Sequence, residues 1–586
     1  IEVLCKKIPA FGNTQTVSRN IMTRVAIRLE FQHLFPEEEK KDILEYLKQI
    51  SKFSVENIIG FFNSNPSINF DNFFSNETVA NEVFQKVKNY CRINSIYEKP
   101  EIISTEASIK ISEIILANKD ILITNKKKKK NTDRDEISLF KAFLTINETI
   151  NKSDNLSLES STETVDKISE IMIALKFSTS DIGVYENIDI ELLKLVYVTS
   201  YKFESLIDFL NEKEENKYLI NELCSFFKQN SIIDLKKQVD FLIVQILRFR
   251  QNKSYKFKVE DSETIAFLDS LIAEQIEEDS DFLYLRNYPL YKMDKETYTI
   301  INAFFVLDKF TKSIKFLLKD CFNKKHNLNA KDRTFFNFYN KDFSENYLMK
   351  NVLNNIFVKK YFIKHEILDN NESEPDYYIR HNKDIFLFEY KDVLIAKDVK
   401  TSGDINKITK TLEGKFLINP SNGKRIGIGQ IITHIEAISA NNFNYDKQIE
   451  KNKSYNIYPI LLLSDRALEI PGINHMLNKW FIENLNIENK YLNIKKLTII
   501  DLDTLIFFEQ YLKSKDINFK NLLDEHISKM SMSIKGYGKS YEEFEGNVKK
   551  KITKKIAPFS SRFRNEMFNQ KIFVERFSHL VNNKVE

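Results

Sequence analysis

Asp376, Glu389 and Lys391 are the residues of this 586-residue chain whose types and spacing carry the clearest chemistry. Asp376 follows Pro375 and opens the run DYYIRH. Glu389 and Lys391 stand two apart in the next run, DIFLFEYKD, so strand alternation turns both to one face. If the two runs pair as a hairpin across HNKD, Asp376 is carried close to Glu389. Two carboxylates so placed make a hard-oxygen site that suits Mg2+ or Mn2+, cations that take carboxylates, water and phosphate oxygens. A cation there can polarise a phosphate oxygen and lower the pKa of a bound water. A lysine two residues on can orient that water and, as an ammonium, offset charge on a phosphorane, or deprotonate the water as a free amine. The plain structural alternatives are a turn cap for Asp376 and an exposed edge-strand pair for Glu389 and Lys391. The apolar flanks YYI and IFLF argue for buried strands, where an unpaired charge is costly.

The elements needed to position these groups can be read around them. FSENYLMKNVLNNIF (343–357) has helical periodicity and carries Glu345 near its start, where Ser344 and Glu345 also suit a helix N-terminus. VKKYFIKHEI, DYYIRH and DIFLFEYKD read as three strands, and GQIITHIEAISA reads as a helix. That helix places Gln430 and His434 four apart on one face. YPILLLSD reads as a buried strand, INHMLNKWFIENL as a helix and KLTIIDLD as a strand. The order is α/β.

Pro375-Asp376 with Glu389-x-Lys391 resembles the PD-(D/E)xK signature of the restriction-endonuclease-like nuclease superfamily. Glu345 resembles the acidic residue that many members carry on the preceding helix. Gln430 and His434 resemble the Q-x-x-x-Y/H feature of the branch related to lambda exonuclease. The α-β-β-β-α-β order matches as well. The resemblance implies a restriction-endonuclease-like α/β domain with a mixed sheet at 341–510. It implies metal ligation by Asp376, Glu389 and Glu345, and catalysis by these residues with Lys391 and Gln430. His434 would contact the substrate. The implied substrate is nucleic acid, DNA in preference to RNA. The segment DVLIAKDVKTSGDINKITKTLEGKF is longer than such a core needs; Lys397, Asp398 and Lys400 either flank the site or decorate an insertion.

The remaining chain is expected to regulate or bind. Few Gly and Pro, with abundant Phe and Tyr, favour long helices, and residues 1–340 read as a large all-α region. It breaks near 125–163 into two subdomains. The five lysines Lys126 to Lys130 could hold phosphate, though a solvated loop is the simpler reading. Residues 1–340 are net −3 and residues 341–586 net +7, so the attraction for a polyanion lies in the second part. A basic helical extension, 511–586, offers Lys549, Lys550 and Lys551 to a phosphate backbone. The whole is an α+α/β multidomain protein. A helical region fused to such a nuclease resembles bacterial antiviral defence effectors, in which the appended part senses a trigger or binds a partner protein. A fragment starting near Asn340 is then expected to keep the site. The competing reading is a non-catalytic nucleic-acid- or protein-binding module on a nuclease-like fold.

Several classes are excluded by pattern. Cys5, Cys91, Cys224 and Cys321 form no CxxC or Cys/His cluster, which speaks against a zinc site or a disulfide framework and fits a reducing cytoplasm. There is no GxxxxGK[ST] loop for an intrinsic ATPase. No run reaches the ~18 apolar residues of a membrane span, and the first 25 residues lack a signal-peptide core.

Overall fold

A computed structural model describes residues 27–65, 67–124, 132–158, 164–183, 188–357, 362–363, 374–536 and 540–580. Lys126 to Lys130 and most of VKKYFIKHEI lie outside the described residues. No helix among the described residues is long and apolar enough to cross a membrane.

The chain divides into two compact units, and the division departs from the boundaries at 340 and 510 expected from the sequence. One unit takes Arg24–Leu156 and Leu210–Asn327; the other takes Ser157–Phe209 and Leu328–Val581. The first is mainly helical, with Glu77–Ile93, Thr105–Ala117, Thr132–Leu158 and Ile232–Asn252 as its longest helices. It is not all-α: β1 (Lys256–Lys258), β2 (Leu290–Lys292) and β3 (Thr297–Ile300) form an antiparallel sheet in the order β1-β3-β2. The β2–β3 turn is set by Asp294, whose Oδ1 accepts from the Glu296 and Thr297 backbone N–H groups at 3.0 and 2.8 Å.

The second unit holds a mixed sheet. Its strands are β4 (Phe362–Ile363), β5 (Tyr377–His381), β6 (Asp384–Lys391), β7 (Tyr455–Leu463), β8 (Leu492–Ile494) and β9 (Thr498–Asp501). The path runs β4-β5-β6-β7, and β8 and β9 follow one another along the far edge of β7. β4, β5 and β6 pair antiparallel, while β6, β8 and β9 run parallel to β7. β6 is buried along nearly its whole length, which explains its continuous apolar run.

Seven helices matter to this sheet: α1 (Val165–Phe177), α2 (Ile188–Asn211), α3 (Ile405–Phe416), α4 (Ile428–Ser439), α5 (Ile473–Asn484), α6 (Phe519–Met530) and α7 (Tyr541–Ile556). Ile385 and Leu387 of β6, and Ile457, Leu461 and Leu463 of β7, form one core with Ile431, Ile432 and Ile435 of α4 and with Leu477 and Phe481 of α5. Ile173 and Phe177 of α1 belong to the same core, and α1 packs on α3 and α5.

α2 is tied in by charge. Lys194 Nζ lies 3.6 Å from Asp501 Oδ1 and 3.1 Å from Thr504 Oγ1, and Lys202 Nζ lies 2.5 Å from Asp503 Oδ1 and 2.7 Å from the Ser464 carbonyl oxygen. Lys400 pairs with Asp181 at 2.8 Å and Lys407 with Asp398 at 3.0 Å, so Lys400 and Asp398 each have an ion-pair partner. Residues 157–209 therefore complete the sheet unit, and a fragment starting at Asn340 would lack them.

Candidate functional site

β6 ends at the site. Asp376 lies one step beyond the Tyr377–Phe388 pair of the β5–β6 ladder, opposite Glu389. Its Oδ2 accepts from the Tyr390 backbone N–H at 2.7 Å, which extends the ladder by a side chain. Glu389 continues the face of Ile385 and Leu387 and is 0% exposed. Lys391 Nζ stands 3.4 Å from Glu389 Oε2 and 3.7 Å from Asp376 Oδ2. The expected convergence of Asp376, Glu389 and Lys391 is present.

Glu345 stands on a helix that departs from the expected geometry. Phe338–Met349 is π-helical and passes into an α-helix at Lys350–Phe357; wide turns of this kind recur at functional sites. Burial pushes the Glu345 carboxyl up, Lys391 and Lys350 pull it down, and Glu389 pushes it up, with a net rise. Its field reaches both strand residues.

The electrostatics follow from three acids around one ammonium. Burial pulls Lys391 down, but Asp376, Glu389 and Glu345 outweigh it and the net shift is upward. Lys391 is thus held charged, and in this state it donates and does not act as a base. Burial pushes Glu389 up, while Lys391 and a hydrogen bond from His434 hold it below the usual carboxylate range. Asp376 takes the opposite course: burial and then the Glu389 charge drive it well up. The Glu389 charge thus disfavours ionisation of Asp376, and added positive charge beside the pair would relieve that.

His434 is not the substrate contact expected from the sequence. It is 2% exposed, and its Nε2 donates to Glu389 Oε1 at 2.9 Å. It orients a site carboxylate and does not face solvent. Its Nδ1 has no hydrogen-bond partner among the described residues. Gln430 is the third residue of α4, and its Oε1 accepts from the Gly427 backbone N–H at 2.8 Å, so the side chain reaches back to the start of its own helix. Gly427 adopts φ +53°. A Cβ on Gly429 would stand 2.4 Å from the Leu417 carbonyl oxygen, so close packing requires that glycine.

Of the basic extension, Lys549, Lys550 and Lys551 lie on α7. Lys551 Nζ donates to the Lys535 carbonyl at 2.6 Å, and Lys555 Nζ to the Met532 carbonyl at 3.2 Å. Both lysines satisfy backbone just past the end of α6.

Among the described residues no three of His, Cys, Asp and Glu stand together as a ready-made cation cage. Asp376 and Glu389 nonetheless fit Mg2+ or Mn2+: both are hard carboxylates that meet at one point beside Lys391. Mg2+ commonly uses one or two carboxylates and fills its other positions with water and substrate phosphate. No family model, curated protein or solved structure matches the chain.

Proposed function

We propose that the chain is a divalent-cation-dependent phosphodiesterase that hydrolyses nucleic acid. The observation that carries this reading is the gathering of Asp376, Glu389 and the charge of Glu345 around Lys391 at the end of a buried strand. Asp376 and Glu389 would hold Mg2+ or Mn2+, with Glu345 adding negative charge. The cation would polarise a phosphate oxygen and make a bound water more acidic. Lys391, held charged, donates N–H groups to the attacking water or a non-bridging oxygen and offsets charge as it grows. His434 fixes the Glu389 carboxylate by its Nε2–H, and the Tyr390 backbone N–H fixes Asp376. DNA is the first substrate to test, following the resemblance of Pro375-Asp376 and Glu389-x-Lys391; the chemistry itself asks only for a phosphodiester.

One observation favours the second reading, a binding module. Lys391 already stands within ion-pair distance of both Asp376 and Glu389, as it would in a site that never takes a cation. Titration of the full chain with Mn2+, followed by electron paramagnetic resonance, separates the two. The nuclease reading expects bound Mn2+, loss of that binding in Asp376→Asn, and cleavage that begins over the same Mn2+ range. Absence of specific Mn2+ binding by the wild-type chain favours the module and overturns the proposal.

A further inference from the structure

Tyr390 ties together the segments that build the site. Its backbone N–H holds Asp376 at 2.7 Å, and its chain neighbours are Glu389 and Lys391. By strand alternation its ring lies on the face of β6 opposite to theirs. There its hydroxyl shares a 2.6 Å hydrogen bond with Ser344 Oγ, and Ser344 immediately precedes Glu345. Ser344 and Tyr390 are 4% and 2% exposed, so neither hydroxyl can readily exchange this partner for water.

The contact falls inside the π-helical stretch Phe338–Met349. A helix with i→i+5 bonds carries an extra residue per wide turn and rotates the side chains that follow relative to an α-helix. The inward side of the stretch is set by buried Tyr339, Phe343, Leu348 and Met349, and the Ser344–Tyr390 bond adds a polar contact between the helix and β6 at the position beside Glu345.

We infer that the buried Ser344–Tyr390 hydroxyl pair is the positioning device that fixes the rotation of this helix and delivers Glu345 to the Asp376–Glu389–Lys391 cluster. The inference rests on the reading of that cluster as a cation site. Tyr390 and Ser344 are positioning residues; neither touches cation or substrate. Loss of either hydroxyl leaves Asp376, Glu389 and Lys391 in place and lets Glu345 turn away.

The test is a set of full-length variants titrated with Mn2+ by electron paramagnetic resonance, with thermal melting on the same samples. Tyr390→Phe is expected to weaken Mn2+ binding by roughly tenfold, the scale for groups that orient a ligand from behind. Glu345→Gln should weaken it by a similar factor, and Tyr390→Phe with Glu345→Gln by no more than Glu345→Gln alone, because the hydroxyl acts through Glu345. The double variant Ser344→Ala/Tyr390→Phe leaves no buried hydroxyl unpaired, so its melting temperature should recover towards wild type while its Mn2+ binding stays weak. A purely structural pair would recover both, and that result overturns the inference. Additive effects of Tyr390→Phe and Glu345→Gln, or unchanged Mn2+ binding in Tyr390→Phe, overturn it as well. Failure of the wild-type chain to bind Mn2+ overturns the functional reading itself, and this inference with it.

Discussion

Replacing Lys194 by Met should cost about 4 kcal/mol of stability at neutral pH, and the cost should shrink as the pH falls. Lys194 is buried, with its ammonium 3.6 Å from Asp501, 3.9 Å from Glu469 and 4.0 Å from Glu191. Burial pulls the ammonium down, yet Asp501, Glu191 and Glu469 drive it up on balance, so it stays charged across the neutral range. Burial also pushes the Asp501 carboxyl up, but Lys194 and a hydrogen bond with Glu469 hold it below its usual value, while Glu469 is driven well up. Ionisation of Glu469 is thus disfavoured beside Asp501, whose charge is matched by the one ammonium.

Methionine fills the space of the lysine stem and removes the charge. The Asp501 carboxylate must then stay ionised without a counter-charge or take up a proton. Taking a carboxyl that ionises near 4 and keeping it protonated at pH 7 costs about 4 kcal/mol, at roughly 1.4 kcal/mol per pH step. Breaking buried pairs costs about 3–5 kcal/mol by experience, in agreement. The sign follows from linkage: in the variant the folded state binds a proton that the unfolded state releases, so the variant loses stability as the pH rises. Trp480 is the only tryptophan of the chain and lies in the core of this unit, so urea unfolding read by its fluorescence reports on the unit. Lys194→Met should lose about 4 kcal/mol at pH 7 and about 2 kcal/mol at pH 5.5. A loss below about 0.5 kcal/mol at pH 7, or one no smaller at pH 5.5, refutes the reasoning. A fragment starting at Asn340 lacks both Lys194 and Lys202 and is likewise expected to fail to fold.

Four further outcomes are expected. His434→Ala should weaken Mn2+ binding by about 10- to 100-fold, whereas His434→Gln, which can still donate to Glu389, should retain most of it; equal losses in a direct titration would contradict the contact. His526 is held neutral, its pKa lowered to about 3 by burial and by Arg562 and Lys529. The unfolded state therefore binds the extra proton between pH 6.5 and 3, and stability falls as the pH drops through that range, by about 2 kcal/mol at pH 5. His526→Gln, which keeps a donor for Asn474 Oδ1, should flatten that part of the pH–stability curve, and an unchanged curve counts against the assignment. Lys549→Gln with Lys550→Gln should make the salt dependence of nucleic-acid binding shallower, by about 0.7–0.9 in log–log slope for each phosphate no longer neutralised. Lys551→Gln and Lys555→Gln should mainly lower the melting temperature, since their ammonium groups bond the carbonyls of Lys535 and Met532.

What could be read from the sequence depended on the range of the interaction. Asp376, Glu389 and Lys391 were legible because a hairpin and strand alternation, both local rules, bring them together. The helix bearing Gln430 and His434 was legible from its 3.6-residue period, but its rotation over the sheet was not, so the His434–Glu389 bond across 45 residues was missed. The small sheet at 256–300 was missed because a scarcity of glycine argued against turns; Asp294 makes its turn without one. The largest omission was α1 and α2. Their apolar periodicity marks them as helices, but nothing local shows that Lys194 meets Thr504 across 310 residues. The partner of a buried charge is set by tertiary packing, and in the sequence Lys194 looks like any helical lysine.

The most direct test is single-turnover cleavage of end-labelled DNA and RNA, single- and double-stranded, by the full chain in Mg2+, beside Glu389→Gln under the same conditions. Glu389 is buried, bound by His434 and adjacent to Lys391, so no other carboxylate of β6 can stand in for it. Cleavage of at least one substrate by the wild type, abolished by chelation and reduced about 100-fold or more in Glu389→Gln, is the predicted result. Mg2+-dependent cleavage by Glu389→Gln at the wild-type rate would contradict the account.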